Sequence, residues 1–184
     1  IGILLPSLSA VNETARRVAC RSNIRQVGLG LISFADSNGG VLPPSVFLPP
    51  QLRESSYGPR QVSWGAEPQN MLTLAVPPQR KLAGSGWDGL GILYGENILP
   101  APKIFYCPSH RGENPYNKYA PVWGLENYEI LGNYHYRGFG PVMNPSSTAG
   151  VLTRRLDLIY PRLTALVADG LQTRLDNNHR VGLN

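Results

Sequence analysis

The residues of this chain whose types could do chemistry are Cys20 and Cys107, three histidines (His110, His135, His179), and Asp169 with the oxygen-rich run 176–179, DNNH. The two cysteines have no CxxC and no Cys/His partner at zinc spacing. They leave two readings open. One is a disulfide across a long loop, which would contribute on the order of 4–5 kcal/mol; the other is a pair of buried thiols. The histidines are isolated from one another. Ser109 and His110 are adjacent, but neighbours on a strand point to opposite faces, so they form no ready dyad. No GxSxG, HExxH or P-loop occurs. Oxygen ligands suit calcium, yet DNNH lacks the alternating Asp-x-Asp-x pattern of a calcium loop and reads as a polar turn around Asp176. The expectation is no catalytic residue, no cofactor and no metal, and hence not an enzyme.

The elements that would position these groups begin with one long helix, expected over residues 7–36. Leu8, Val11, Ala15 and Val18 follow 3-4-3 spacing. Cys20, Ile24, Val27, Leu31 and Ala35 resume it in a shifted phase, so the apolar stripe changes face near Cys20. The first half would meet one partner; the second, with Phe34, would enter the chain's own core. Thirty residues span roughly 45 Å, longer than the usual globular helix. Glu13 and Arg17 form a favourable i,i+4 pair. Gly28 and Gly30 each cost about 1 kcal/mol relative to Ala, which makes sense where a helix lies close against a sheet. The SNGG run and Pro43-Pro44 stop the helix. Beyond it, 41–70 reads as loop and 71–76 as a strand or part of a helix. Residues 86–99 read as a loop and a short helix, 103–109 as a short strand, 128–140 as strand-like, and 162–169 as the clearest strand. Residues 179–184 look like the start of another strand.

At 184 residues with 42% hydrophobic content, the chain is about one domain long. Gly 20 and Pro 17 imply many turns and long loops. A net charge of +5 without a Lys/Arg run argues against a nucleic-acid partner. The densest basic cluster is Arg16, Arg17, Arg21 and Arg25, all on the helix. The stub IGILL is apolar, but no complete membrane span or signal peptide is visible. Nine tyrosines and three tryptophans read as core and sheet packing before they read as a sugar-stacking surface.

Three blocks resemble a known family. LLPSLSAVNETARRVACRSNIRQVGLGLISFADSNGGVLPP resembles the juxtamembrane helix of prepilin-type, pseudopilin-like proteins, closest to the form abundant in planctomycetes. GLGILYGENILPAPKIFYCPS is similar to that family's short helix followed by F-x-CPS. ALVADG followed by NNHRVGLN resembles the start of its C-terminal motif, a His (here His179) followed nine residues later by Asp-Gly.

The resemblance implies an α+β, type IV pilin-like fold: a long N-terminal helix (1–40, with a membrane- or filament-proximal stub at 1–6) on a small antiparallel sheet within a head of 41–184. It implies a structural subunit of a pilus-like or pseudopilus filament of a type II secretion- or type IV pilus-like system. Such a subunit would form a homo-oligomer through its N-terminal helices and meet other pseudopilins or secretion machinery. It would sit in the inner membrane, through a segment preceding Ile1, before assembly in the cell envelope or outside the cell. Leu8, Val11, Ala15 and Val18 would meet neighbouring helices. Arg17 and Arg21 would face acidic groups of neighbours or lipid headgroups. Pro6 would kink the rod, and a Cys20–Cys107 disulfide would staple helix to head. The alternative is a membrane-anchored envelope module of the same fold that binds glycan or another ligand without polymerising.

Overall fold

The computed structural model describes residues 4–48, 60–61, 71–78, 86–125, 128–141, 151–159 and 164–169. The fold is α+β and pilin-like. A helix α1 (Leu4–Ser37) of 34 residues, about 50 Å at 1.5 Å per residue, leads into a head built on antiparallel strands. No helix among the described residues is long and apolar enough to cross a membrane.

The helix ends as its sequence dictates. Gly39 takes φ 64°, a left-handed conformation that costs glycine little. The N–H of Gly40 then reaches the Ala35 carbonyl at 2.7 Å. This six-to-one bond closes a Schellman cap. The helix starts a turn earlier than the periodicity predicts. Pro6 lies in its first turn, so the bend expected of it would fall at the boundary with residues 1–3, outside the described residues.

The main sheet has the order β2-β3-β6, with strands Met71–Ala75, Ile130–Tyr136 and Val167–Asp169. β3 is central, pairing Met71 with Tyr136 on one side and Tyr134 with Asp169 on the other. A second small sheet has the order β1-β5-β4, from Arg60–Gln61, Val151–Thr153 and Gly140–Pro141. Between β2 and β3 run a short helix Gly91–Gly95, a 3₁₀ turn Pro102–Phe105 and a short helix Tyr116–Tyr119. α1 contacts the first two and β6.

The core joins helix and head. Cys20, Val27, Leu31 and Phe34 of α1 are buried with Leu74, Leu93, Phe105, Ile130, Tyr134 and Tyr136. The loop after α1 is pinned by the buried Asp88, which accepts from Ser45 Oγ at 2.6 Å and from the Val46 N–H at 2.8 Å. Tyr136 OH donates to the Pro43 carbonyl at 3.0 Å, so the Pro43-Pro44 segment is fastened to β3.

Three expectations change. Residues 103–109 are not a strand. Pro102 presets φ at the first helical position, and the 3₁₀ turn gives way to extended backbone only at Tyr106. Of 162–169, only Val167–Asp169 is strand, with 162–163 outside the described residues. Gly30 does face a close neighbour, but a Cβ there would meet Leu99 and Leu93 rather than the sheet, and one on Gly28 would meet nothing within 4 Å. The strand expected at 179–184 lies outside the described residues.

Candidate functional site

Cys20 and Cys107 meet where α1, the 105–110 segment and β6 converge. Both are buried, and both are thiols rather than a disulfide. Their sulfurs and a carboxylate oxygen of Asp169 all lie within 4.8 Å of one another. Cys20 Sγ donates to Asp169 Oδ1 at 2.9 Å. Tyr134 OH reaches the same sulfur at 3.5 Å. Tyr134 and Asp169 are register partners across β3 and β6, so they project from one face of the sheet. The junction thus follows from strand pairing and from Cys20 sitting at the top of the helix's buried stripe.

The two thiols are unequal. The Cys107 pKa is lowered, above all by the Cys20 thiol, against burial, with the backbone N–H groups of Ser109 and His110 assisting. The Cys20 pKa is raised, first by sharing its proton with Cys107, then by burial and by Asp169. The shared contact thus pulls the two thiols in opposite directions, Cys107 down and Cys20 up. Asn133 holds the Cys107 N–H at 3.2 Å. Asn23 of α1 donates to the Tyr106 carbonyl at 3.1 Å. Cys107 also lines an open cleft of about 280 Å³ with Lys103, Tyr106, His110, Tyr116 and Asn133.

Asp169 was grouped in sequence with residues 176–179, but those lie outside the described residues. Asp169 faces sulfur. A donor set of two sulfurs and one carboxylate suits a soft, zinc-like cation, not calcium. Ser109 Oγ donates to Glu13 Oε1 at 3.1 Å, while His110 lines the cleft and His135 pairs with Ala168 in the ladder. His179 lies outside the described residues.

The second feature is the outer face of α1. Leu8, Val11 and Val18 are 59%, 63% and 61% exposed, and Ala15 is exposed with them. The stripe does not stop at Cys20. Leu29 and Ile32 extend it at 59% and 49% exposure. Positions 8, 11, 15, 18, 22, 25, 29 and 32 keep a 3-4 rhythm, broken in polarity only by Ser22 and Arg25. The buried residues 20, 27, 31 and 34, with the half-buried 24, each sit two positions later, about 200° round the helix. Below Cys20, α1 is therefore apolar on two opposite faces. The periodicity from Cys20 onward follows the buried positions alone, so Leu29 and Ile32 are not among the residues it singles out.

Arg17 and Arg21 are exposed beside this stripe. Arg17 Nε pairs with Glu13 at 3.3 Å, so part of its charge is spent within its own helix.

The model of the family described as "Protein of unknown function (DUF1559)" matches residues 9–173. The chain belongs to this family. The match runs from the exposed part of α1 through the thiol junction and past β6, so the DUF1559 region holds both features in one unit. No curated protein and no solved structure matches the chain.

Proposed function

We propose that this DUF1559 chain is a prepilin-type structural subunit of a pilus-like or pseudopilus filament. It is made in the inner membrane and assembles with copies of itself and with other pseudopilins through α1. The observation that carries this reading is the division of α1 into two opposite apolar faces. One is sealed into the head from Cys20 downward. The other is exposed from Leu8 to Ile32, in the 3-4 spacing by which helices pack side by side in a left-handed coil. Exposing five large apolar side chains or more on one helix is an unfavourable way to leave a finished surface.

Charge reversal at Arg17 and Arg21, tested in the chain with its complete N-terminus, should impair assembly while leaving the head folded. Negative-stain microscopy reads the first outcome and circular dichroism the second. Normal filaments from that variant would remove the role given to these arginines; dispersed monomers from the unaltered chain would remove the filament.

The cleft beside Cys107 favours a second reading, a membrane-anchored envelope module that binds a glycan or another ligand. Tyr106 and Tyr116 wall the cleft, and Lys103 Nζ stands 5.5 Å from the Tyr116 ring centroid. Glycan-array binding by a chain that forms no filaments would favour it.

A further inference from the structure

We propose that Cys20, Cys107 and Asp169 form a structural site for one zinc ion, which ties α1 to the head. The ion takes the place where the family resemblance would put a disulfide, and the two exclude one another. The site is independent of the filament reading.

Three observations carry it. The first is geometric. The donors come from α1, the 105–110 segment and β6, and their two sulfurs and carboxylate oxygen lie within 4.8 Å of one another. Tetrahedral zinc, with bonds of about 2.3 Å to sulfur and about 2.1 Å to oxygen, sets its donors about 3.6–3.8 Å apart. The contact of Cys20 Sγ with Asp169 Oδ1 at 2.9 Å then opens by about 0.7 Å to admit the ion. The second is the carboxylate itself. The Cys20 thiol donates a proton to Asp169, whereas a disulfide sulfur has none to give and would leave the oxygen facing a weak acceptor. A cation between them satisfies oxygen and sulfur together. The hard oxygen also favours zinc over copper(I), which prefers soft ligands throughout. The third is the surroundings. Cys20 and Cys107 are 0% and 4% exposed, so bound zinc would be shielded from water on the sulfur side. Cys107 nonetheless lines the open cleft, which gives an ion its way in. Tyr134 OH, 3.5 Å from Cys20 Sγ, supplies an outer hydrogen bond to the ligand sulfur.

Binding is an exchange of ligands without redox change. The hydrated ion sheds water, both thiols give their protons to solvent, and two Zn–S bonds and one Zn–O bond form. A water from the cleft takes the fourth position. The sulfurs remain at the thiol oxidation level. Cys20, Cys107 and Asp169 are far apart in the chain, so the ion cross-links three elements at once and its binding free energy adds to the stability of the fold. The same separation explains why no zinc spacing shows in the sequence: strand pairing and helix packing assemble the donors.

The experiment titrates the reduced, chelator-treated full chain with Zn²⁺ and, in parallel, with Co²⁺, whose spectrum reports its ligands. One equivalent of zinc should bind, release about two protons and raise the melting temperature. Cobalt should give sulfur-to-metal charge-transfer bands and the intense visible bands of a tetrahedral site, and zinc should bleach both. These readouts use the unaltered chain and need no variant to fold. Cys20→Ser and Cys107→Ser should each weaken zinc binding more than about 100-fold, beyond the loss that an outer-shell partner causes. Asp169→Ala should weaken it at least about tenfold and alter the cobalt spectrum, with circular dichroism confirming that the variant is folded. Bound zinc should also protect both thiols of the unaltered chain from oxidation in air. Any of three results would overturn the site: no saturable zinc binding by the reduced chain, a cobalt spectrum that is octahedral or lacks the sulfur bands, or a Cys20–Cys107 disulfide that forms as fast with zinc present as without it.

Discussion

Asn133 and Cys107 are bound through the main chain. The buried Asn133 side chain accepts the Cys107 N–H at 3.2 Å through Oδ1. Its Nδ2 donates to the Asn114 carbonyl at 2.9 Å. One side chain of the central strand thus fixes both the segment that carries the thiol and the loop that walls the cleft. Leaving a buried donor or acceptor unsatisfied costs about 1–3 kcal/mol per group. Asn133→Ala should destabilise the head by about 2–4 kcal/mol on that basis, read as a lower urea midpoint at unchanged slope. An unchanged midpoint would mean that water takes over both bonds.

The two faces of α1 should separate genetically. Leu31→Ala removes a core side chain that is 2% exposed and should cost about 2–5 kcal/mol. Val11→Asp and Val18→Asp alter only exposed positions and should shift stability by less than about 0.5 kcal/mol while abolishing filaments. A thermal melt and a microscope grid on the same preparations decide it. Filaments from the double aspartate variant would place the assembly contact elsewhere.

Two glycines should respond in opposite directions. A Cβ on Gly91 would overlap the Leu74 carbonyl oxygen, a backbone atom with no room to move. Gly91→Ala should therefore cost about 3 kcal/mol, the upper end for overpacking. A Cβ on Gly28 meets nothing within 4 Å, and the site is mid-helix, so Gly28→Ala should gain about 0.5–1 kcal/mol. Denaturant unfolding of both variants tests the pair.

Alkali should unfold the head through its tyrosines. Burial raises the pKa values of Tyr106, Tyr134 and Tyr136 above the ordinary value of 10.0. The folded state thus keeps phenol protons that the unfolded chain gives up above about pH 10. This contribution is fully present below that pH and is lost as pH rises beyond it. Unfolding free energy should be flat with respect to these groups up to about pH 10 and then fall, with phenolate absorbance appearing together with loss of structure. Phenolate absorbance from all the tyrosines before any unfolding would contradict the burial.

The sequence made parts of this legible and hid others for physical reasons. The shift of the apolar stripe near Cys20 was readable because burial of α1 does begin at Cys20, and the SNGG stop was readable because Gly39 needs positive φ. The outward role of Leu29 and Ile32 was not, because apolarity alone does not say which of two faces a partner takes. The strand expected at 103–109 failed on Pro102, whose fixed φ starts a 3₁₀ turn in an otherwise strand-like string. The approach of Cys20 to Cys107 was an expectation from resemblance. Asp169 as the third member was invisible, since it depends on the pairing of β6 with β3 across 149 residues of separation from Cys20.

The buried stripe of α1 also sets how the molecule would carry load. Its contacts are spread along the helix from Cys20 to Ala35 rather than gathered at one end. A pull along the rod axis loads them together, in shear, whereas a sideways pull would peel them one at a time. A bond between Cys20 and Cys107 would close this zipper at its upper edge, where peeling would otherwise begin.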